Sequence, residues 1–420
     1  MTRFTSVSLL ALAALCTCAL TASAQDAAAP ADTFYPARLA GDSVAYIYVS
    51  SSPSSTTSLI SGFSAGPAGR LTPIPGSPFT TQGDGALFLA LNGAWLFGTN
   101  INSDIYSFSI AEDGALRQVD SYDAGHVIPS VVEEGPEGLF LDHTGATLYV
   151  PYLNIPENCG NPGYEAYSIN QSNGELTFVN DVCFFPPAVG GGTMSFVASN
   201  QFAYTSGCYD FSPTILGIER SSSGAITLLN NSSPMPPPTS GGGYYLPCAG
   251  GAAADPANNF ALAVQPWAQD IVPTAAGPYQ IATYTVDSDG NVSTNSTPDN
   301  MPQVAVGNVT TYWMSPDGRY LAVGGQGGLQ VLHWNGANPA TSFTGLLTTD
   351  AISQVYWDDE HHLYAVSDSA GKLHVFLVSA FGATEAPGSP YSIPGAANLI
   401  VLPRQALAAR LPQALMQGWH

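Results

Sequence analysis

Positive charge is scarce in this sequence. Of 420 residues only 9 are Lys or Arg, against 31 Asp or Glu, for a formal net charge of −22. Lys372 is the single lysine. Charged residues of both signs make up 10% of the chain, where about 25% is usual. Such a surface repels nucleic acid and anionic lipid, so neither is expected as a partner. It also has little with which to hold a phosphate dianion or a polyanionic cofactor, groups that call for Arg or Lys. Long apolar runs are missing after residue 20, so no later segment reads as membrane-inserted. Helical periodicity is missing outside the tail "RQALAARLPQALMQGWH" (404–420). No CxxC or Cys/His spacing points to zinc.

The chain opens with Arg3, the apolar run "VSLLALAALCTCAL" (7–20) and Ala22-Ser23-Ala24. A basic start, a short apolar stretch and small residues make a secretory signal peptide, residues 1–24, cut before Gln25. Leu15 stands before Cys16 where a lipoprotein site would have a small residue. The mature protein is therefore expected to be soluble, secreted or periplasmic, and monomeric, with residues 25–42 as a linker. Of the six cysteines, Cys16 and Cys18 leave with the leader, and Cys159, Cys183, Cys208 and Cys248 remain. An even number in an exported chain predicts two disulfides. Cys159–Cys183 with Cys208–Cys248 is the favoured pairing, and Cys183–Cys208 is the alternative.

What the chain has in abundance is glycine (43), proline (33) and one recurring phrase. "SFSIAEDGALRQV" (107–119) is an alternating run, a turn at Asp113-Gly114 and a second run, the strongest short-range signal for a β-hairpin. Relatives occur at 60–74, 166–179, 217–230 and 283–295, with degenerate copies at 331–343 and 375–387. Their shared glycines are Gly69, Gly114, Gly174, Gly224, Gly290, Gly336 and Gly382, spaced 45 to 66 residues apart. A strand pair with a tight polar turn precedes each hairpin, as in "GLFLDHTGATLYV" (138–150) and "TYWMSPDGRYLAV" (311–323). The unit is thus four antiparallel strands, A to D, repeated seven times. Four-stranded units repeated radially form a β-propeller, and closing the ring protects the sheet edges. "VAYIYVS" (44–50) is a B strand with no A before it, and "NLIVLP" (398–403) an A strand with no B after it. The all-β propeller spans 43–403, with one blade taking A from the C-terminus and B, C and D from the N-terminus.

The phrases "SPDGRYLAV" and "DHTGATLYV", the DG-containing hairpins, and "LTPIPGSPF" (71–79) echoed by "EAPGSPYSI" (385–393) resemble the lactonase-like seven-bladed propellers, a family similar to 6-phosphogluconolactonase and the carboxymuconate-lactonizing enzymes. The resemblance implies a site at the channel mouth built from His, Arg and an acid, with a Pro-His or Arg-His pair opening the A strands of blades 3 and 5. This chain departs there. Glu137 stands at the histidine position of blade 3, and "LPCAGGAAADP" opens blade 5 with no His or Arg. His126 precedes blade 3. His143, His361 and His362 fall in A–B turns, and His333 and His374 on C strands, where a structural imidazole is the expectation.

Aligning the A-strand starts places Asp84, Glu137, Asn308 and Asp350 around the mouth. Three carboxylates and an amide could ligate Ca²⁺ through oxygen, hydrogen-bond sugar hydroxyls, act as acid and base on a neutral lactone, or stand solvated at loop ends. No other cofactor is expected. "DSDG" (287–290) lacks the rest of a calcium loop and sits at the hairpin position, so it reads as a turn. The long insertions 154–164, 206–213, 232–251 and 265–280 all join B to C or D to A. They therefore crowd onto one face, where binding loops belong. Tyr209, Tyr244, Tyr245 and Trp267 are their candidate contact residues, with Tyr152 beside them. Three functions compete: binding of a neutral glycan, small polar ligand or protein; hydrolysis or isomerisation of a sugar-type lactone without the family's His and Arg; and, least supported by the charge balance, a cofactor-dependent dehydrogenase.

Overall fold

The computed structural model describes residues 42–404 except 55–56, 82–84, 101–103, 124–135, 137, 156–160, 184–192, 210–211, 230–234, 238–242 and 269–273. The leader, most of the linker and the tail after 404 lie outside the described residues. Seven antiparallel sheets, each built on four main strands, form a seven-bladed propeller. Blade 1 combines strand A from Ala396–Pro403 with B, C and D from Ala45–Ser54, Thr57–Ala65 and Leu71–Pro73. Ile47 pairs with Val401, so the two ends of the chain share one sheet and close the ring. The other inner strands are Phe88–Leu91, Phe140–Leu141, Ser195–Phe196, Ala253–Ala254, Val309–Met314 and Gln354–Trp357. Among the described residues no helix is long and apolar enough to cross a membrane.

The core is divided among the blade interfaces. Seven clusters of buried apolar residues each lie between two adjacent blades. Successive side chains of a strand leave by opposite faces, so each strand feeds two clusters. In blade 1, Tyr46 and Tyr48 face blade 2 while Ala45, Ile47 and Val49 face blade 7. Both faces are covered, which is why "VAYIYV" is apolar without interruption.

The recurring hairpin glycines belong to the same interfaces. All seven have positive φ, from +62° at Gly336 to +138° at Gly382. Five also lie against a neighbouring blade. A Cβ on Gly114 would come 2.8 Å from Ile74 of blade 1, and one on Gly174 2.6 Å from Trp95 of blade 2. Three glycine carbonyls accept a tyrosine hydroxyl from the preceding blade: Tyr48 to Gly114 (2.8 Å), Tyr149 to Gly224 (3.0 Å) and Tyr204 to Gly290 (2.7 Å). Burial would leave those phenols unsatisfied without a partner.

The polar A–B turns recur for a related reason. A side-chain oxygen at the end of strand A accepts backbone N–H groups of the turn, from Asn92, Asp142, Asp255, Ser315 and Asp358. The "PGSP" echo works on the outer strand. There Ser77 and Ser389, each before a cis proline, accept the C-strand amides of Gly62 and Val375, both at 2.9 Å. Ser296 and Thr344 do the same in blades 5 and 6 for Thr283 (2.8 Å) and Val331 (3.0 Å). A hydroxyl thus replaces the carbonyl that an interrupted D strand withdraws from the ladder.

Candidate functional site

The inner strands enclose an axial cavity of about 330 Å³, lined by residues of all seven blades. Its wall is apolar and small-residue rich, with Phe88, Trp313 and Tyr356 among the lining side chains. Trp313 and Tyr356, from blades 6 and 7, stack at 5.1 Å between ring centroids. Polar lining comes from Thr193, Thr310, Thr311, Ser353 and Gln354, and no described charged side chain joins them. Gln354 is held by donating to Asn398 (2.9 Å) and accepting from the Leu399 amide (2.6 Å). Tyr312 is buried, and burial pushes its hydroxyl well above the ordinary tyrosine range, keeping it a neutral donor. It donates to the carbonyls of Gly250 (2.9 Å) and Gly251 (2.8 Å).

Two of the four expected mouth residues, Asp84 and Glu137, lie outside the described residues, as does His126. Asn308 is exposed and donates to Gln326 in the adjacent B–C turn at 3.1 Å. Asp350 is engaged by blade 7: Oδ2 meets Lys372 Nζ at 2.7 Å and His374 Nε2 at 3.0 Å. The Lys372 ammonium, with His374 beside it, holds the Asp350 carboxyl below its ordinary range. His374 is buried on its C strand, and its Nδ1 lies 3.1 Å from Glu385. Neither Asn308 nor Asp350 lines the cavity, and no hydrogen bond joins them among the described contacts. No group of three or more described His, Cys, Asp or Glu is arranged to hold a metal.

His143 is buried in an A–B turn, whereas His362, expected in one, is buried as the first residue of the blade 7 B strand, His362–Ser367. His362 Nδ1 contacts Asp358 at 2.7 Å. Burial opposes a charge on this imidazole, but Asp358 outweighs it and the pKa rises.

The insertions differ from loops in one respect: strands run on into them. In blade 4, B and C extend to Tyr209 and from Ser212, which are paired across residues 210–211. In blade 5, B continues to Ala268 and pairs with Tyr244–Leu246 and Thr274–Ala275. Tyr244 lies in register with Trp267, and both are partly buried. Tyr245 corrects the expectation of a surface contact, because it is 2% exposed and donates to Gln280 at 3.0 Å. Tyr152 is likewise 2% exposed. The side chain of Tyr209 lies outside the described residues.

Cys208, at the end of a B strand, is disulfide-bonded to Cys248 with 4.9 Å between Cα atoms. That excludes the Cys183–Cys208 alternative. Cys183 is also disulfide-bonded, and Cys159, its expected partner, lies outside the described residues.

The backbone of Ala249–Ala252 and the side chains of Tyr312, Trp313 and Tyr356 were not singled out by sequence reasoning. The paired glycines in "CAGGA" were their one visible signal, since two adjacent glycines at an inner-strand start mark backbone in unusual conformations.

The architecture defines the class: a seven-bladed β-propeller. A candidate 6-phosphogluconolactonase from Bacteroides fragilis superposes with a TM-score of 0.58 at 12% identity, over 86% of this chain and 98% of that one. A second, from Bacteroides uniformis, gives 0.56 at 12% identity over 86% and 100%. A protein of unknown function from Desulfotomaculum acetoxidans gives 0.54 at 14% identity over 86% and 99%. No family model and no curated protein matches the sequence. At these identities the likeness is one of fold.

Proposed function

We propose that this chain is an exported, lactonase-like propeller that binds a small neutral polar ligand in its axial cavity. The observation that carries the reading is the cavity itself: about 330 Å³, walled by all seven blades, with no described charged side chain on it. That volume lies at the small end of ligand pockets, about 300–1,000 Å³, and suits a single ring better than a glycan chain or a protein segment. Aromatic faces and hydroxyls favour a neutral ring bearing oxygen. The net charge of −22 and the scarcity of Lys and Arg oppose a phosphorylated one. Asp84 and Glu137 enter this reading as acceptors for ligand hydroxyls near the starts of the blade 2 and blade 3 inner strands. Export is supported by the leader-like N-terminus and by the Cys208–Cys248 disulfide. Fold likeness to lactonases does not carry their substrate over.

Calorimetry on residues 25–420 with D-glucono-1,5-lactone and its 6-phosphate tests the reading, with lactone opening followed in parallel. The neutral lactone is expected to bind at least tenfold more tightly than the phosphate and to open no faster than in buffer. Tighter binding of the phosphate, or accelerated opening, overturns it in favour of a lactone hydrolase.

A further inference from the structure

The inner strand of blade 5 is interrupted. Its B strand, Asn259–Ala268, pairs with Ala253–Ala254 at one end and with Tyr244–Leu246 at the other. The intervening segment, 247–252, leaves Leu262–Val264 without an inner neighbour and arches away. Hydroxyls from the neighbouring blades hold that arch by its carbonyls. Tyr312 of blade 6 donates to Gly250 and Gly251, Ser206 of blade 4 to Gly251 at 2.7 Å, and Ser195 of blade 4 to Ala252 at 2.6 Å. The disulfide from Cys248 to Cys208 pins the start of the segment. Gly250 and Gly251 have φ of +70° and +73°, which explains why glycine occupies both positions.

The peptides at 250–251 and 251–252 are trans, so their N–H groups point opposite to the Gly250 and Gly251 carbonyls that the hydroxyls of Tyr312 and Ser206 have already claimed. The N–H groups of Gly251 and Ala252 have no partner among the described residues, and both residues line the axial cavity. Resting on the cavity reading above, we propose that these two adjacent amides form a preorganised donor pair for one carbonyl oxygen of a neutral ligand, the lactone, ester or amide class. Preorganisation is the point. The arch is fixed before the ligand arrives, so little ordering cost falls on binding. An anionic oxygen would bring its charge into a strongly acidic protein with no described cation on the cavity wall, which selects the neutral carbonyl.

Two rings of nearly equal shape, δ-valerolactone and tetrahydropyran, differ in the carbonyl oxygen. Titration of protein labelled with ¹⁵N at Gly and Ala reads both binding and the two amides. The lactone is expected to bind about tenfold more tightly than the ether, the gain of one or two hydrogen bonds, and to move the Gly251 and Ala252 signals downfield. Ala252→Pro removes one of the N–H groups without breaking a hydrogen bond among the described residues, and should bring the ratio of lactone to ether affinity down toward one. If that variant does not fold, Tyr312→Phe, which frees the Gly250 carbonyl and leaves that of Gly251 to Ser206 alone, should show the same fall in that ratio. Equal binding of the two rings, with neither amide signal moving, overturns the donor pair and leaves the cavity reading standing. Binding of neither ring overturns both.

Discussion

Adding one methyl group to a hairpin glycine tests whether the repeated phrase holds the blades together or merely turns the chain. Gly174 has φ +75° and Gly336 φ +62°, so alanine at either position meets the same left-handed penalty of about 1–2 kcal/mol. The surroundings differ. At Gly174 the new Cβ would lie 2.6 Å from Cε3 and 2.8 Å from Cδ2 of Trp95 in the preceding blade, roughly 1 Å inside the contact distance for carbon. Trp95 cannot swing aside freely, because its Nε1 donates to the Gln171 carbonyl in the same turn at 3.1 Å. Relieving the overlap means moving the hairpin or the indole, a cost of about 1–3 kcal/mol for an overpacked core. At Gly336 the nearest atom is Asn259 Nδ2 at 3.7 Å, an ordinary contact. Gly174→Ala should therefore destabilise by about 2–5 kcal/mol and Gly336→Ala by about 1–2 kcal/mol. With an unfolding entropy of about 2.1 cal/mol/K per residue over roughly 360 residues, each kcal/mol lowers Tm by only about 1.3 °C. Urea unfolding of the two variants beside the wild type is accordingly the better assay. Equal losses in the two variants would refute the argument that these glycines are interblade contacts.

Deleting residues 394–420 removes the strand that pairs with Ala45–Ser51 in blade 1. It also removes Leu399, Ile400, Val401 and Leu402 from the clusters facing blades 7 and 2. The truncated chain should lose its cooperative unfolding transition, and circular dichroism on heating will show it. The pH dependence of stability should carry the mark of His361 and Asp317, whose Nε2 and Oδ2 lie 2.9 Å apart. Burial opposes ionisation of Asp317, but its bonds to His361 and Ser315 prevail and lower its pKa from 3.8 to about 2, so that contribution is lost as pH falls from about 4 toward 2. His361 is raised above 6.5 by the bond to Asp317, so its contribution is full below 6.5 and lost as pH rises through the folded value. The pair therefore stabilises most between about pH 4 and 6.5. His361→Ala should flatten the stability curve on both flanks of that window, measured by urea unfolding from pH 2.5 to 9. An unchanged curve would remove the pair as its source.

What the chain determines locally could be read without its fold. Alternation, a glycine at each turn and an unpaired strand at each end are short-range signals, because a strand places its side chains by residue parity and a tight turn selects its residues by φ. They were sufficient for seven blades and for the shared first blade. The continuation of strands through 206–213 and 265–280 was not legible, because Ser, Gly, Cys and Pro there carry loop composition and pair only after the ring aligns their neighbours. The burial of Tyr245 and the capture of Asp350 by Lys372 and His374 belong with these, since each depends on residues 22 or more positions away. The cavity is the furthest from sequence. Its wall draws on all seven blades, and its distinctive donors are backbone amides of Gly251 and Ala252, aimed by Ser195, Ser206 and Tyr312 from two other blades. Every residue has an amide, so only the tertiary structure could decide that these two stand on the cavity wall with no partner among the described residues.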